Sequence, residues 1–360
     1  MLITFLIFFA TIFVLVIAHE LGHFFSARLF GIRVDEFGFG IPPRIAGIRR
    51  GGTLYSINWL PVGGFVKIFG EESGFASDPR AFGSKSALIR SAVLLSGIFA
   101  NLLFAWILLS VMAFVGILVS VDENEVSQYT DVRLTIIDVA PGSPAAKVEL
   151  RAGDVIEEVA VGIYGTSYLN VQTLQEFART HAGEFISASV KRNGQKFNVL
   201  LESRVSPPSG EGPLGIAIDM FRVKKSSWYQ APIEGARTGW SVSKLTVVGI
   251  FDTFMEILRG RADEVQISGP VGIFFLTERM SGAGFASLLF FIAVLSISLA
   301  LFNVLPIPGL DGGRFLFLLI EIFTGRKISE RISSVIHSIG LIVLLILIAF
   351  ITRLDIQRYF

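Results

Sequence analysis

The stretch that decides the fold opens the chain: Met1-Leu2-Ile3-Thr4-Phe5-Leu6-Ile7-Phe8-Phe9-Ala10-Thr11-Ile12-Phe13-Val14-Leu15-Val16-Ile17-Ala18, followed at once by His19-Glu20-Leu21-Gly22-His23. Eighteen residues without a charge approach the ~20 that a helix rising 1.5 Å per residue needs to cross a ~30 Å hydrocarbon layer. The run lacks a basic n-region and continues into ionisable residues instead of a small-residue cleavage site, so it reads as a retained helix and not as a signal peptide. Three further charge-free runs share its character: Ser91 to Val121, Met280 to Leu310 and Ile332 to Thr352. They account for the 52% hydrophobic and 17% charged content of the 360 residues and for the mean hydropathy of +0.65, figures that exclude an ordinary water-soluble chain. A net charge of +1 excludes a nucleic-acid binder built on a basic surplus. With no cysteine, any metal must be held by nitrogen and oxygen.

Basic residues fix the expected orientation. Arg28, Arg33, Arg44, Arg49, Arg50, Lys67, Arg80, Lys85 and Arg90 lie between the first two runs, and Arg314, Arg326, Lys327 and Arg331 between the last two. Both loops belong in the cytoplasm, which places the two termini and the long segment from Asp122 to Arg279 on the extracytoplasmic face. The expected organisation is a polytopic α-helical membrane protein with four transmembrane helices and an inserted α/β domain. Its parts are helix 1 at 1–30, a β region at 31–90, helix 2 at 91–121, the inserted domain at 130–220, an amphipathic helix at 230–262, helix 3 at 280–313 and helix 4 at 332–352.

The inserted domain is read from short strands at Leu134–Ile137, Gly153–Ile156, Ile186–Val190, Phe197–Leu201 and Leu214–Ile218. Asn170 caps a helix over Val171–His181, and Asn193-Gly194 marks a hairpin. Ala140-Pro141-Gly142-Ser143-Pro144-Ala145-Ala146, Gly153-Asp154-Val155-Ile156 and Pro213-Leu214-Gly215-Ile216 resemble the circularly permuted PDZ domain of bacteria. The resemblance implies that Leu214, Gly215 and Ile216 form a peptide-binding loop; a spacer or size filter that binds no C-terminus is the other reading. Val148-Glu149 departs from the small residue and glycine usual at that turn. Further on, Trp240, Val247, Phe251, Phe254 and Leu258 recur at helical spacing, as in a helix lying on a membrane surface.

His19 and His23 stand four apart, on one face of a helix, where both imidazoles reach one metal while Glu20 reaches a water beside it. Two imidazoles suit zinc. Ionisable groups closing an apolar helix are costly enough to be functional by default. A third ligand at similar depth has two candidates, Asp311 and His337. Asp311 ranks first, because Pro306 and Pro308 break the helix before it and Gly312-Gly313 allow close approach after it.

Together, His19-Glu20-Leu21-Gly22-His23 and Asn303-Val304-Leu305-Pro306-Ile307-Pro308-Gly309-Leu310-Asp311-Gly312-Gly313, with the PDZ-like segment between the second and third helices, resemble the site-2 protease family of intramembrane zinc metalloproteases, in its bacterial RseP-type branch. That resemblance implies zinc on His19, His23 and Asp311, Glu20 as catalytic base and acid, and Asn303, Pro306 and Pro308 holding substrate. It implies a re-entrant β segment formed by Gly38-Phe39-Gly40, Leu54–Trp59 and Pro61–Lys67. It matches Gly97 and Asn101 in the second helix, with Ile98 where proline is common. Implied partners are membrane lipid and single-pass substrates trimmed beforehand, such as anti-sigma factors or signal-peptide remnants, in a bacterial inner (plasma) membrane. Cleavage would serve regulated intramembrane proteolysis in a stress response. The competing readings are a non-catalytic membrane PDZ adaptor that binds protein C-termini and a zinc hydrolase of lipids or small molecules.

Overall fold

The computed structural model describes residues 2–71, 77–121, 129, 131–167, 170–192, 194–259, 268–326 and 329–359. Four of its helices are long and apolar enough to cross a membrane: α1 (Leu2–Leu29), α2 (Ala87–Val115), α7 (Phe285–Val304) and α9 (Glu330–Tyr359). Between them lie α3 (Pro144–Lys147), α4 (Val171–Thr180), α5 (Ala231–Leu258), α6 (Pro270–Gly282) and α8 (Asp311–Thr324). The chain divides into two compact units, 1–109 with 235–277 and 290–360, and 110–234 with 278–289.

Two of the expected spans are corrected. The run Ser91–Val121 is not one helix: α2 stops at Val115 because Gly116 takes φ +121°, and the residues beyond it, with β-branched Ile117 and Val119, form β3 (Ile117–Ser120). Earlier in α2 the helix passes unbroken through Ile98. The run Met280–Leu310 is shared by three elements. Met280 belongs to α6, Gly284 with φ +108° separates α6 from α7, and α7 ends at Val304 ahead of Pro306 and Pro308. Asp311 therefore starts α8 and does not close a transmembrane helix. Gly325, at φ +67°, ends α8 by donating its N–H to the Glu321 carbonyl.

In the first unit, β1 (Val34–Arg50) and β2 (Thr53–Ile68) are joined at Gly51-Gly52, both with positive φ, as a two-residue hairpin turn requires. The strands fold back on each other. Glu36–Phe39 lies opposite Lys67–Gly64 on one side and opposite Leu54–Ile57 on the other. The stretch 64–68 is thus an edge, paired among the described residues with β1 alone. Ile32, Val34, Ile68, Phe82 and Val93 pack with Ala27 of α1 and Leu318 of α8 into one buried cluster, which fixes the sheet against the helices.

The second unit holds a sheet in the order β3-β9-β4-β5-β7-β8, with β6 beside β5. Its strands are β4 (Arg133–Val139), β5 (Val155–Val161), β6 (Tyr164–Thr166), β7 (Phe185–Arg192), β8 (Gln195–Glu202) and β9 (Ile216–Lys224). Asn170 caps α4 in a reciprocal box with Thr173. Gly194 has φ +86° opposite the Arg192–Gln195 pair, while Asn193, Thr130 and Lys327 lie outside the described residues. The last strand begins at Ile216, not Leu214: Leu214 is buried in the core and Gly215 has φ +71°. Glu149 takes φ +58°, alone among described non-glycine residues, at the turn where the sequence carries no glycine. In α5, Trp240, Val247 and Phe251 are exposed; the side chains of Phe254 and Leu258 lie outside the described set.

Asp154 is 1% exposed and receives Nε and Nη2 of Arg192 at 2.6 Å each and the Arg151 N–H at 2.8 Å. Its own hydrogen bonds to Asp154 raise the Arg192 guanidinium above its ordinary pKa. Replacing Arg192 with Met is expected to leave a buried carboxylate short of its countercharge, destabilising the second unit by about 3 kcal/mol. Hydrogen exchange should show the loss across Val155–Val161 and Phe185–Arg192, with α1 unaffected.

Candidate metal centre

The first helix sets the site. His19 and His23, one turn apart, direct their Nε2 atoms to the same point, 3.3 Å from each other. Asp311, first residue of α8, brings Oδ2 to 3.0 Å from His19 Nε2 and 3.2 Å from His23 Nε2. Both rings are oriented from behind. His23 Nδ1 donates to the Val93 carbonyl of α2 at 2.9 Å, so Nε2 is left with its lone pair. His19 Nδ1 lies 3.4 Å from Nδ2 of Asn101, which is fully buried and whose own carbonyl accepts the Ser296 hydroxyl of α7 at 2.8 Å.

This donor set fits zinc. Ligand bonds of about 2.0–2.2 Å in a tetrahedral arrangement separate ligand atoms by roughly 3.3–3.5 Å, close to the three spacings observed. Two ring nitrogens converging on a carboxylate oxygen in a largely buried place also suit a cation.

Glycines let the elements come this close. A Cβ on Gly97 of α2 would overlap His23 Nε2 and stand 2.7 Å from His19 Cε1, and one on Gly22 would run into the Ser96 carbonyl. Buried Gly312 and Gly313 sit under the carbonyls of Val304, Leu305 and Ile307, so the loop after α7 can fold down on the start of α8.

The three ligand-type atoms open into a cavity of about 1080 Å³. Glu20 lines it, its stem against Gly64 at the β2 edge, and so do Asn303, Gly64, Phe65 and Val66. Two ion pairs stand among its lining residues, Arg33 Nε with Asp35 at 2.8 Å and Arg314 with Glu71 at 2.6 Å. The sequence-predicted residues thus divide. His19, Glu20, His23, Asn303 and Asp311 meet in one cavity. Pro306 and Pro308 do not line it; they shape the loop that carries Asp311. His337 is no part of the cluster and accepts the Gly309 N–H at Nδ1. Leu214, Gly215 and Ile216 belong to the other compact unit. Val93 and Ser296 were not foreseen, because a backbone carbonyl and a small hydroxyl in apolar runs leave no pattern to read.

A helix-borne histidine pair, a carboxylate from a distant loop and a glutamate beside them define a metallopeptidase type of centre. The chain belongs to peptidase family M50, whose model matches residues 7–347. It is 33% identical over 347 residues to a Clostridium acetobutylicum protein named "Putative zinc metalloprotease", covering 95% of this chain and 94% of that one. Proteins of the same description from Fusobacterium nucleatum (32% identical, 99% of each chain) and Nostoc (30% identical, 93% of this chain and 91% of that one) are similar as well. The protein is a multi-pass membrane zinc metalloprotease of the site-2 type.

Gly97→Ala should push both imidazoles away from Asp311. Metal analysis after dialysis against a chelator is expected to show zinc affinity reduced about tenfold or more, with the helical circular-dichroism signal unchanged.

Proposed function

We propose that His19, His23 and Asp311 hold the zinc and that the centre hydrolyses peptide bonds within or near the transmembrane segments of single-pass proteins. The observation that carries this reading is the shared cavity: the three converging ligand atoms, Glu20 and the β2 edge all line it. Zinc, when bound, supplies a Lewis acid that polarises a carbonyl oxygen and makes water more acidic. Glu20 takes a proton from the attacking water and delivers it to the nitrogen of the departing amine. Asn303, 9% exposed, offers an amide to orient the substrate backbone.

A peptide bond inside a helix is shielded by its neighbours and must become extended to be attacked. The 64–68 edge suits that need, because an extended segment can add to it as a further strand beside Glu20. In this reading β1 and β2 form a re-entrant segment. Exposed Ile41, Ile45, Ile48, Ile57 and Trp59 give them a surface suited to lipid.

The second unit is read as a permuted PDZ domain. β9, flanked by β4 over Ile216–Phe221, has its other edge taken by β3 over Phe221–Lys224, and Val121 donates to the Met220 carbonyl. Among the described residues the edge beside Ile216–Asp219 is unpaired, and it would accommodate only a short peptide, in keeping with a domain that admits trimmed ectodomains. The cellular role inferred is regulated intramembrane proteolysis of an anti-sigma factor or of signal-peptide remnants in a bacterial inner (plasma) membrane. The termini and the second unit lie outside, and the active site lies near the cytoplasmic leaflet. An adaptor without catalysis would have no use for a glutamate beside the ligand atoms.

The experiment is to compare wild type with Glu20→Gln on a truncated single-pass substrate. Glu20→Gln is expected to bind zinc as wild type does and to cleave at least 10²- to 10⁴-fold more slowly, the span of general acid–base catalysis. Equal cleavage would sink the reading.

A further inference from the structure

The loop between α7 and α8 delivers Asp311, and it has little structure of its own. Within it Ile307 donates to Leu305 and Leu310 to Ile307. The Gly309 N–H, two residues from Asp311, has its acceptor elsewhere: Nδ1 of His337 on α9, at 2.9 Å. The same turn of α9 is shaped to the loop. A Cβ on Gly340 would overlap the Pro308 carbonyl, and one on Gly309, which has φ +99°, would stand 3.0 Å from the Leu341 nitrogen. The His337 ring is steadied by Phe317 of α8, ring centroids 5.0 Å apart. Neighbouring α9 residues make a contrast, since Ile332, Val335, Ile339 and Leu341 are all more than half exposed. Non-helical backbone at membrane depth needs partners from the protein, because lipid supplies none.

We infer that His337 is a positioning residue for the metal centre: as acceptor for the Gly309 N–H it pins the Pro306–Leu310 loop and so holds the Asp311 carboxylate in register with His19 and His23. This role rests on the assignment of Asp311 as a zinc ligand. With Nδ1 accepting, the ring proton sits on Nε2 and the imidazole is neutral. The essential property is an acceptor at the Nδ1 place, which Asn can supply with Oδ1 and Leu cannot. Gly340 acts with it, since the loop reaches the ring only where the α9 backbone is bare.

The test uses full-length protein in one detergent, comparing wild type, His337→Leu and His337→Asn for zinc retained against a chelator and for kcat and KM on the truncated single-pass substrate. His337→Leu is expected to lose zinc about tenfold faster or more, and kcat by a like factor, with KM within about twofold. His337→Asn should recover both to within about threefold. Wild-type behaviour in His337→Leu, or equal impairment of the Asn and Leu variants, overturns the inference. If His337→Leu does not fold, Gly340→Ala decides: it keeps the imidazole but displaces Pro308, so zinc loss should again quicken about tenfold, and unchanged retention overturns the inference. A wild type that holds no zinc, or a Glu20→Gln variant that cleaves, would instead refute the protease reading, so the two failures are told apart.

Discussion

Two imidazole nitrogens and a carboxylate oxygen held within 3.3 Å of one another are the constraint on which the first unit depends. A cation shared by all three atoms accounts for their convergence in a largely buried place. The surrounding structure answers that demand from three directions. Helix α2 supplies the Val93 carbonyl and the Asn101 amide to turn the rings, and its Gly97 leaves room for them. The broken segment after α7 carries the carboxylate across, and buried Gly312 and Gly313 let it come down. The apolar cluster around Val34, Val93 and Leu318 keeps the helices and the sheet from drifting apart.

What the sequence could show and what it could not follows from the range of each signal. His19, Glu20 and His23 are legible because an ionisable trio stands out against an uncharged helix, and Asp311 because prolines and glycines bracket it. The ends of the helices are less so. Hydropathy reads Ser91–Val121 as continuous, since nothing local distinguishes a glycine inside a helix from Gly116 at φ +121°; the partner that draws Ile117–Ser120 into a strand is β9, about a hundred residues away. In the same way Met280–Leu310 is uniformly apolar although three elements share it. Charge counts cannot see backbone breaks.

The sheet of the first unit was partly legible. Alternation at Leu54–Trp59 announces a strand, yet the double pairing of Glu36–Phe39 depends on a fold-back that no window of sequence reveals. Among the described residues this arrangement leaves 64–68 as an edge next to Glu20. Edges invite pairing with other chains, and here the edge lies in a cavity where only a segment able to enter can use it.

The charged residues lining that cavity have a bearing on its water. Arg33 is neutralised by Asp35 and Arg314 by Glu71, so these pairs bring polarity without net charge. With Lys67 also in the lining, the cavity is polar enough to hold the water that hydrolysis demands. The close contact of Gly22 and Gly97 with the opposite helix closes the back of the centre. Under the proposed reading, solvent and peptide would share this one cavity, and a bound strand would displace part of the water beside the bond to be cut.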